Sequence, residues 1–91
     1  MLVTIRLFAR LREIAGAADV RRELPDGATA ASAWEALAAD FEQLGPYRAT
    51  ISCAVNEEYA RLTTPLKDGD EVAFLPPVSG GDSRVLQGAA G

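Results

Sequence analysis

The chain contains no histidine and only one cysteine, Cys53, among its 91 residues. Without histidine there is no imidazole for acid-base or triad chemistry, and a catalytic thiol would lack its usual base. A lone cysteine cannot close an intramolecular disulfide, and one Cys with no His leaves a zinc ion without a ligand set. Cys53 therefore reads as a small buried hydrophobe within Ile51-Ser52-Cys53-Ala54-Val55. No apolar run approaches the roughly 18 residues of a membrane span. The opening Met1-Leu2-Val3-Thr4-Ile5-Arg6 has no basic segment leading into an apolar one, so the expectation is a cytoplasmic protein with no secretory signal and no membrane partner. Positive charge is also in deficit. Nine Lys and Arg face thirteen Asp and Glu, a net charge of −4 that disfavours nucleic acid as a partner. The excess acid gathers late, at Glu57, Glu58, Asp68, Asp70, Glu71 and Asp82, and suits either docking onto a basic surface or simple solvation.

What is present fits one small domain with one core. Leu2 to Phe8 alternates, with Val3, Ile5 and Leu7 on one face and Leu2, Thr4, Arg6 and Phe8 on the other, the period of a half-buried strand. Arg10 to Ala15 loses the alternation and Gly16 closes it as a turn; Asp19 to Leu24 alternates again before Pro25-Asp26-Gly27. The opening reads as a β-hairpin with a long loop. Thr29 to Gln43 is the one convincing helix, with Trp34, Leu37, Ala38, Phe41 and Leu44 at spacings of three and four and Gly45-Pro46 as its stop. Thr29 is the favoured cap, and Ser32 with Glu35 forms an alternative capping box. Thr50 to Val55 and Tyr59 to Leu62 read as strands about the turn Asn56-Glu57-Glu58. Glu71 to Leu75 follows the reversal at Lys67-Asp68-Gly69-Asp70. Strand, strand, helix and three strands make a two-layer α+β domain. The arrangement that fits is a ubiquitin-like β-grasp, a mixed sheet with one main covering helix and its first and last strands parallel at the centre.

The last strand runs into Pro76-Pro77-Val78-Ser79-Gly80-Gly81. The prolines donate no backbone hydrogen bond and end the strand as a stiff spacer. The glycines lack Cβ and pass through a slot that any side chain would block. A plain surface loop with a glycine turn is the alternative for this segment taken alone.

Phe8-Ala9-Arg10-Leu11-Arg12-Glu13 with Gly16, then Ala54-Val55-Asn56, then Leu66 through Gly81 with its D-G-D-E-V-x-F-x-P-P-V-x-G-G block, resembles the small subunit of molybdopterin synthase (MoaD) over residues 1–81. The resemblance implies a β-grasp sulfur carrier, a non-catalytic sulfur-donor subunit that binds no cofactor itself. An adenylating partner similar to ubiquitin-activating enzymes (MoeB-like) would use Mg-ATP to activate the Gly81 carboxylate, and a sulfurtransferase would supply the sulfur of a thiocarboxylate. Gly80 and Gly81 would then enter the large synthase subunit (MoaE-like) to build the dithiolene of molybdopterin. Phe8, Leu75 and Tyr59 are the expected docking side chains, with Arg10 and Arg12 offering charge-assisted bonds and Pro76 and Pro77 directing the tail. Each has a plainer alternative, Phe8 and Leu75 as core and the two arginines as solvated loop residues. Carriers for thiamin or cysteine synthesis and ubiquitin-like protein modifiers share the fold and the diglycine, and a non-covalent β-grasp interaction module is the reading from a different class.

The sequence departs from the family after Gly81, continuing through Asp82 to Gly91 where members usually end. A carboxylate held in the Gly81–Asp82 peptide bond cannot be adenylated. Residues 82–91 are expected to be a disordered extension: a propeptide cut after Gly81, the junction of a fused or truncated gene product, or residues added by cloning or a shifted stop codon.

Overall fold

The computed structural model describes residues 1–77. Gly80, Gly81 and the 82–91 extension lie outside the described residues. Strands β1 (Leu2–Leu7), β2 (Asp19–Glu23), β3 (Ser52–Val55), β4 (Glu58–Ala60) and β5 (Glu71–Leu75) form one sheet in the order β2-β1-β5-β3-β4. β1 and β5 are its parallel central pair, and β2, β3 and β4 join antiparallel to their neighbours. This is the mixed sheet of a ubiquitin-like β-grasp.

The alternation in β1 and β5 sorts side chains between two faces. Val3, Ile5, Leu7, Val72 and Phe74 are buried on the inner face together with Cys53. Helix α2 (Ala30–Asp40) lies over them and contributes Ala30, Ala33, Trp34 and Leu37, all fully or almost fully buried. Trp34 meets Phe74 edge to face, with ring centroids 5.0 Å apart, a favoured aromatic geometry. Its indole Nε1 is buried with no hydrogen-bond partner among the described residues. The helix begins where Thr29 was expected to cap it: the Thr29 hydroxyl accepts from the Ser32 N–H and the Ser32 hydroxyl accepts from the Thr29 N–H. The next exposed donors, the N–H groups of Ala30 and Ala31, reach the carbonyls of Thr64 and Leu62 in the segment crossing from β4 to β5. That segment is thereby fastened to the helix start.

Two readings of the sequence are corrected. Arg10 to Ala15 is no loop: Ala9–Ala15 forms a helix, α1, ended by Gly16 in the left-handed region. Leu11 is fully buried, and Ile14 and Ala15 pack against the core, so burial of three apolar side chains stabilises a helix too short to stand alone. β1 and β2 do pair antiparallel, but through this helix. Gly45-Pro46 is likewise not the stop of the long helix. α2 ends at Asp40, and a 3-10 helix, Glu42–Tyr47, runs through both residues and buries Leu44.

Candidate functional site

The helices cover one face of the sheet. On the other face the strand register lines up one residue from each of the five strands, Asp19, Arg6, Ala73, Ala54 and Tyr59. The third and fourth members are alanines, so the row sinks between Arg6 and Tyr59. Phe8 and Leu75 rise beside it, and Glu57 and Glu71 complete the rim of an apolar depression of about 240 Å³. The depression exists because Ala54 and Ala73 are small where their neighbours are large.

Phe8, Leu75 and Tyr59 are thus brought to one place. Phe8 follows β1 in an extended conformation as the residue capping α1, and its side chain makes no capping bond. It is 37 % exposed, and Tyr59 is 83 % exposed. Leu75 is half-buried on the outward face of β5, neighbour to the core residue Phe74. Pro76 and Pro77 continue directly from it, so the tail departs from the edge of the depression. Arg10 and Arg12 do not line it. Both are exposed on α1, and Arg10 pairs with Glu13 at 3.2 Å.

Sequence reasoning missed Arg6. Its guanidinium lies 5.7 Å from the centre of the Phe8 ring and ion-pairs with Asp19 at 3.4 Å and Glu71 at 3.3 Å. A cation over the aromatic face, itself held by two carboxylates, fixes the orientation of Phe8. The signal is present in the alternation, since Phe8 continues the extended run of β1 and falls two residues after Arg6. Glu57, Glu71, Ala54 and Ala73 were also missed as rim and floor, because their juxtaposition follows only from the strand order.

A second network fixes the end of the sheet from which β5 starts. The Asp70 carboxylate accepts from the Asn56 side-chain amide at 3.0 Å and the Lys67 N–H at 2.8 Å. These two bonds hold its pKa below the ordinary value of 3.8. The Asn56 side-chain carbonyl accepts from the Glu71 N–H at 3.0 Å, and the Asp68 carboxylate accepts from the Leu2 N–H at 2.7 Å. The D-G-D-E run therefore braces β5 against β1 and the β3–β4 turn. Cys53 donates its S–H to the Ala60 carbonyl at 3.3 Å, and burial pushes its thiol pKa up, away from the thiolate a nucleophile needs. Among the described residues no group of His, Cys, Asp and Glu is placed to hold a metal ion, and no helix is long and apolar enough to cross a membrane.

A parallel central strand pair, one main covering helix and an open face bearing an apolar patch beside the exit of the last strand define a ubiquitin-like β-grasp protein. Residues 5–81 match the model of the ThiS family. The molybdopterin synthase sulfur carrier subunit of Chlamydomonas reinhardtii is 40 % identical over 83 residues, covering 89 % of this chain and 100 % of that protein. The chain belongs to the ThiS family, alongside the molybdopterin synthase sulfur carrier subunits. The crystal structure of small archaeal modifier protein 1 from Haloferax volcanii is similar with a TM-score of 0.77 at 33 % identity, covering 89 % of this chain and 100 % of that one. A chain in the complex of subunits 1 and 2 of molybdopterin-converting factor from Helicobacter pylori matches with a TM-score of 0.61 at 29 % identity, over 89 % of this chain and 100 % of that one.

Proposed function

We propose that the protein is a sulfur carrier of molybdenum cofactor biosynthesis, with Gly81 as the residue that bears the sulfur. The observation that carries this reading is the apolar depression at the mouth of β5, from which a diproline leads to a diglycine that ends the ThiS family match. A globule that docks through this depression leaves Pro77 to Gly81 free to reach on the order of 17 Å at about 3.4 Å per residue, enough to deliver an end group into a partner's pocket.

The chemistry needs a free Gly81 carboxylate, so the Gly81–Asp82 bond must be hydrolysed first. A carboxylate oxygen then attacks the α-phosphate of Mg-ATP bound by an adenylating partner and pyrophosphate leaves. The terminal sulfur of a sulfurtransferase persulfide displaces AMP to give an acyl disulfide. A thiol then attacks the transferase sulfur of that bond, forming a disulfide with it and releasing the thiocarboxylate. This chain supplies the docking surface and the carbonyl carbon; it binds neither the nucleotide nor a metal. The large synthase subunit then receives the tail, an assembly supported by the two-subunit Helicobacter pylori complex. The likeness to an archaeal modifier favours one second reading, conjugation of the same acyl-adenylate to a lysine.

The test is a chain ending at Gly81, incubated with its adenylating and sulfurtransferase partners and followed by intact mass. The expected product carries sulfur in place of one oxygen, about 16 Da heavier by the difference of atomic masses, and Gly81→Ala blocks its formation because a methyl group obstructs the slot. No mass change with partners active on another carrier would remove the assignment. Lysine adducts instead of transfer to the pterin precursor would favour the modifier reading.

A further inference from the structure

The turn between β3 and β4 has two central residues, Asn56 and Glu57, both in the left-handed region with φ of 51° and 71°. Such a turn matches the sheet twist, and its second position favours glycine because any side chain there is strained. This chain keeps a glutamate there, at the rim of the depression. Backbone strain held at a surface site points to a use for the side chain. Glu57 makes no ion pair among the described residues, whereas Arg6, the cation of the same rim, is already engaged by Asp19 and Glu71. The surroundings of the depression therefore hold one cation against three carboxylates, one of them unmatched. Its floor, Ala54 and Ala73, and its walls, Phe8, Tyr59 and Leu75, are apolar.

We propose that the depression is the seat of a single basic side chain, an arginine or lysine, presented by the large-subunit partner, with Glu57 as the residue that selects it. The inference rests on the carrier reading above and deepens it. Arginine and lysine combine an apolar stem with a charged end, which is the pairing this site offers. The methylenes lie on Ala54 and Ala73, between the Phe8 and Tyr59 rings, and the cation meets the Glu57 carboxylate. The aromatic faces add to the attraction for a cation. A wholly apolar occupant would leave the unmatched carboxylate partly desolvated beside it, an arrangement that costs affinity.

The experiment uses chains ending at Gly81, with binding to the large subunit measured by titration calorimetry at low and high salt and melting temperature recorded for each variant. Glu57→Gly is the decisive change, because it relieves the strained turn while deleting the carboxylate. The melting temperature should hold or rise while affinity at low salt falls about fivefold, the upper range for one exposed ion pair, and the difference should shrink at high salt. Glu57→Gln, which keeps the strain, should lose as much affinity, and Ala73→Leu, which fills the floor, should lose more. Undiminished affinity at low salt in Glu57→Gly, or in Ala73→Leu, would overturn the proposal, as would a Glu57→Gly loss that is equal at both salt concentrations. Failure of the unsubstituted chain to bind the large subunit at all would instead defeat the carrier reading.

Discussion

Phe8 and Trp34 are large aromatics of similar hydrophobicity, and the sheet separates them by a single layer of backbone. Trp34 is 1 % exposed against Phe74, while Phe8 stands 37 % exposed on the far face. Substituting each by alanine should produce opposite outcomes. Phe8→Ala is expected to weaken docking to the large subunit by about 2 kcal/mol with little change in melting temperature, whereas Trp34→Ala should cost about 3–5 kcal/mol of stability through lost packing. Binding titration and thermal melts on the same two variants check this, and a sharp fall in melting temperature for Phe8→Ala would assign it to the core. Side-chain parity made this contrast legible in the sequence, because Phe8 falls out of step with Val3, Ile5 and Leu7. Arg10 and Arg12 were not legible in the same way: a loop leaves their direction open, and the helix that replaces it places them away from the depression.

At the scale of elements, α1 is where the sequence was hardest to read. Leu11, Ile14 and Ala15 do follow the helical spacing, yet a seven-residue helix offers too few repeats for its period to stand out. Its first residue, Ala9, takes φ of 53°, in the left-handed region where a Cβ is unfavourable. Ala9→Gly should therefore stabilise the protein by up to about 1 kcal/mol, the ~1–2 kcal/mol cost of the left-handed region less the ~0.5–1 kcal/mol of extra chain freedom that glycine loses on folding. Urea denaturation would show it as a raised midpoint at unchanged slope, and a lowered midpoint would mean that Ala9 is held there without strain. The 3-10 helix was hidden for another reason. Gly45-Pro46 is a reliable stop for an α-helix, but proline retains a helix-compatible φ, and burial of Leu44 favours one more tight stretch. β1, β2 and β5 lie within one residue of the bounds that their alternation and turn residues predict, as at Gly69 with φ of 87°. β3 and β4, expected over 50–55 and 59–62, instead span Ser52–Val55 and Glu58–Ala60, because the tight turn at Asn56 and Glu57 leaves Glu58 paired with Val55.

For the molecule as a whole, the D-G-D-E run ties stability to pH. Asp70 is held below its ordinary pKa of 3.8 by the Asn56 amide and then by the Lys67 N–H. A depressed carboxyl contributes its stabilisation above its unfolded pKa and loses it as pH falls through the folded value. Asp70→Asn should thus be less stable at neutral pH and show a flatter decline on acidification below about pH 4 than the unsubstituted chain. Melting temperatures recorded from neutral to acid pH would check it, and parallel profiles would mean that other carboxyls govern acid unfolding. The motif was legible as a family mark and as a turn. Its service as a clamp was not, since Asn56 and Leu2 are remote in sequence and meet it only through the fold.

The central parallel pairing also sets an order of events during synthesis. β1 leaves the ribosome first and finds its inner neighbour, β5, only after some seventy residues have been translated. Until then Val3, Ile5 and Leu7 have only the β2 side of their strand paired, and the core cannot close. Closing so long a loop is the slow part of folding for such a topology. The docking face, built from all five strands, is therefore absent from every nascent fragment that ends before Leu75. A partner that recognises this face reads translation through β5 and closure of the sheet as a single event.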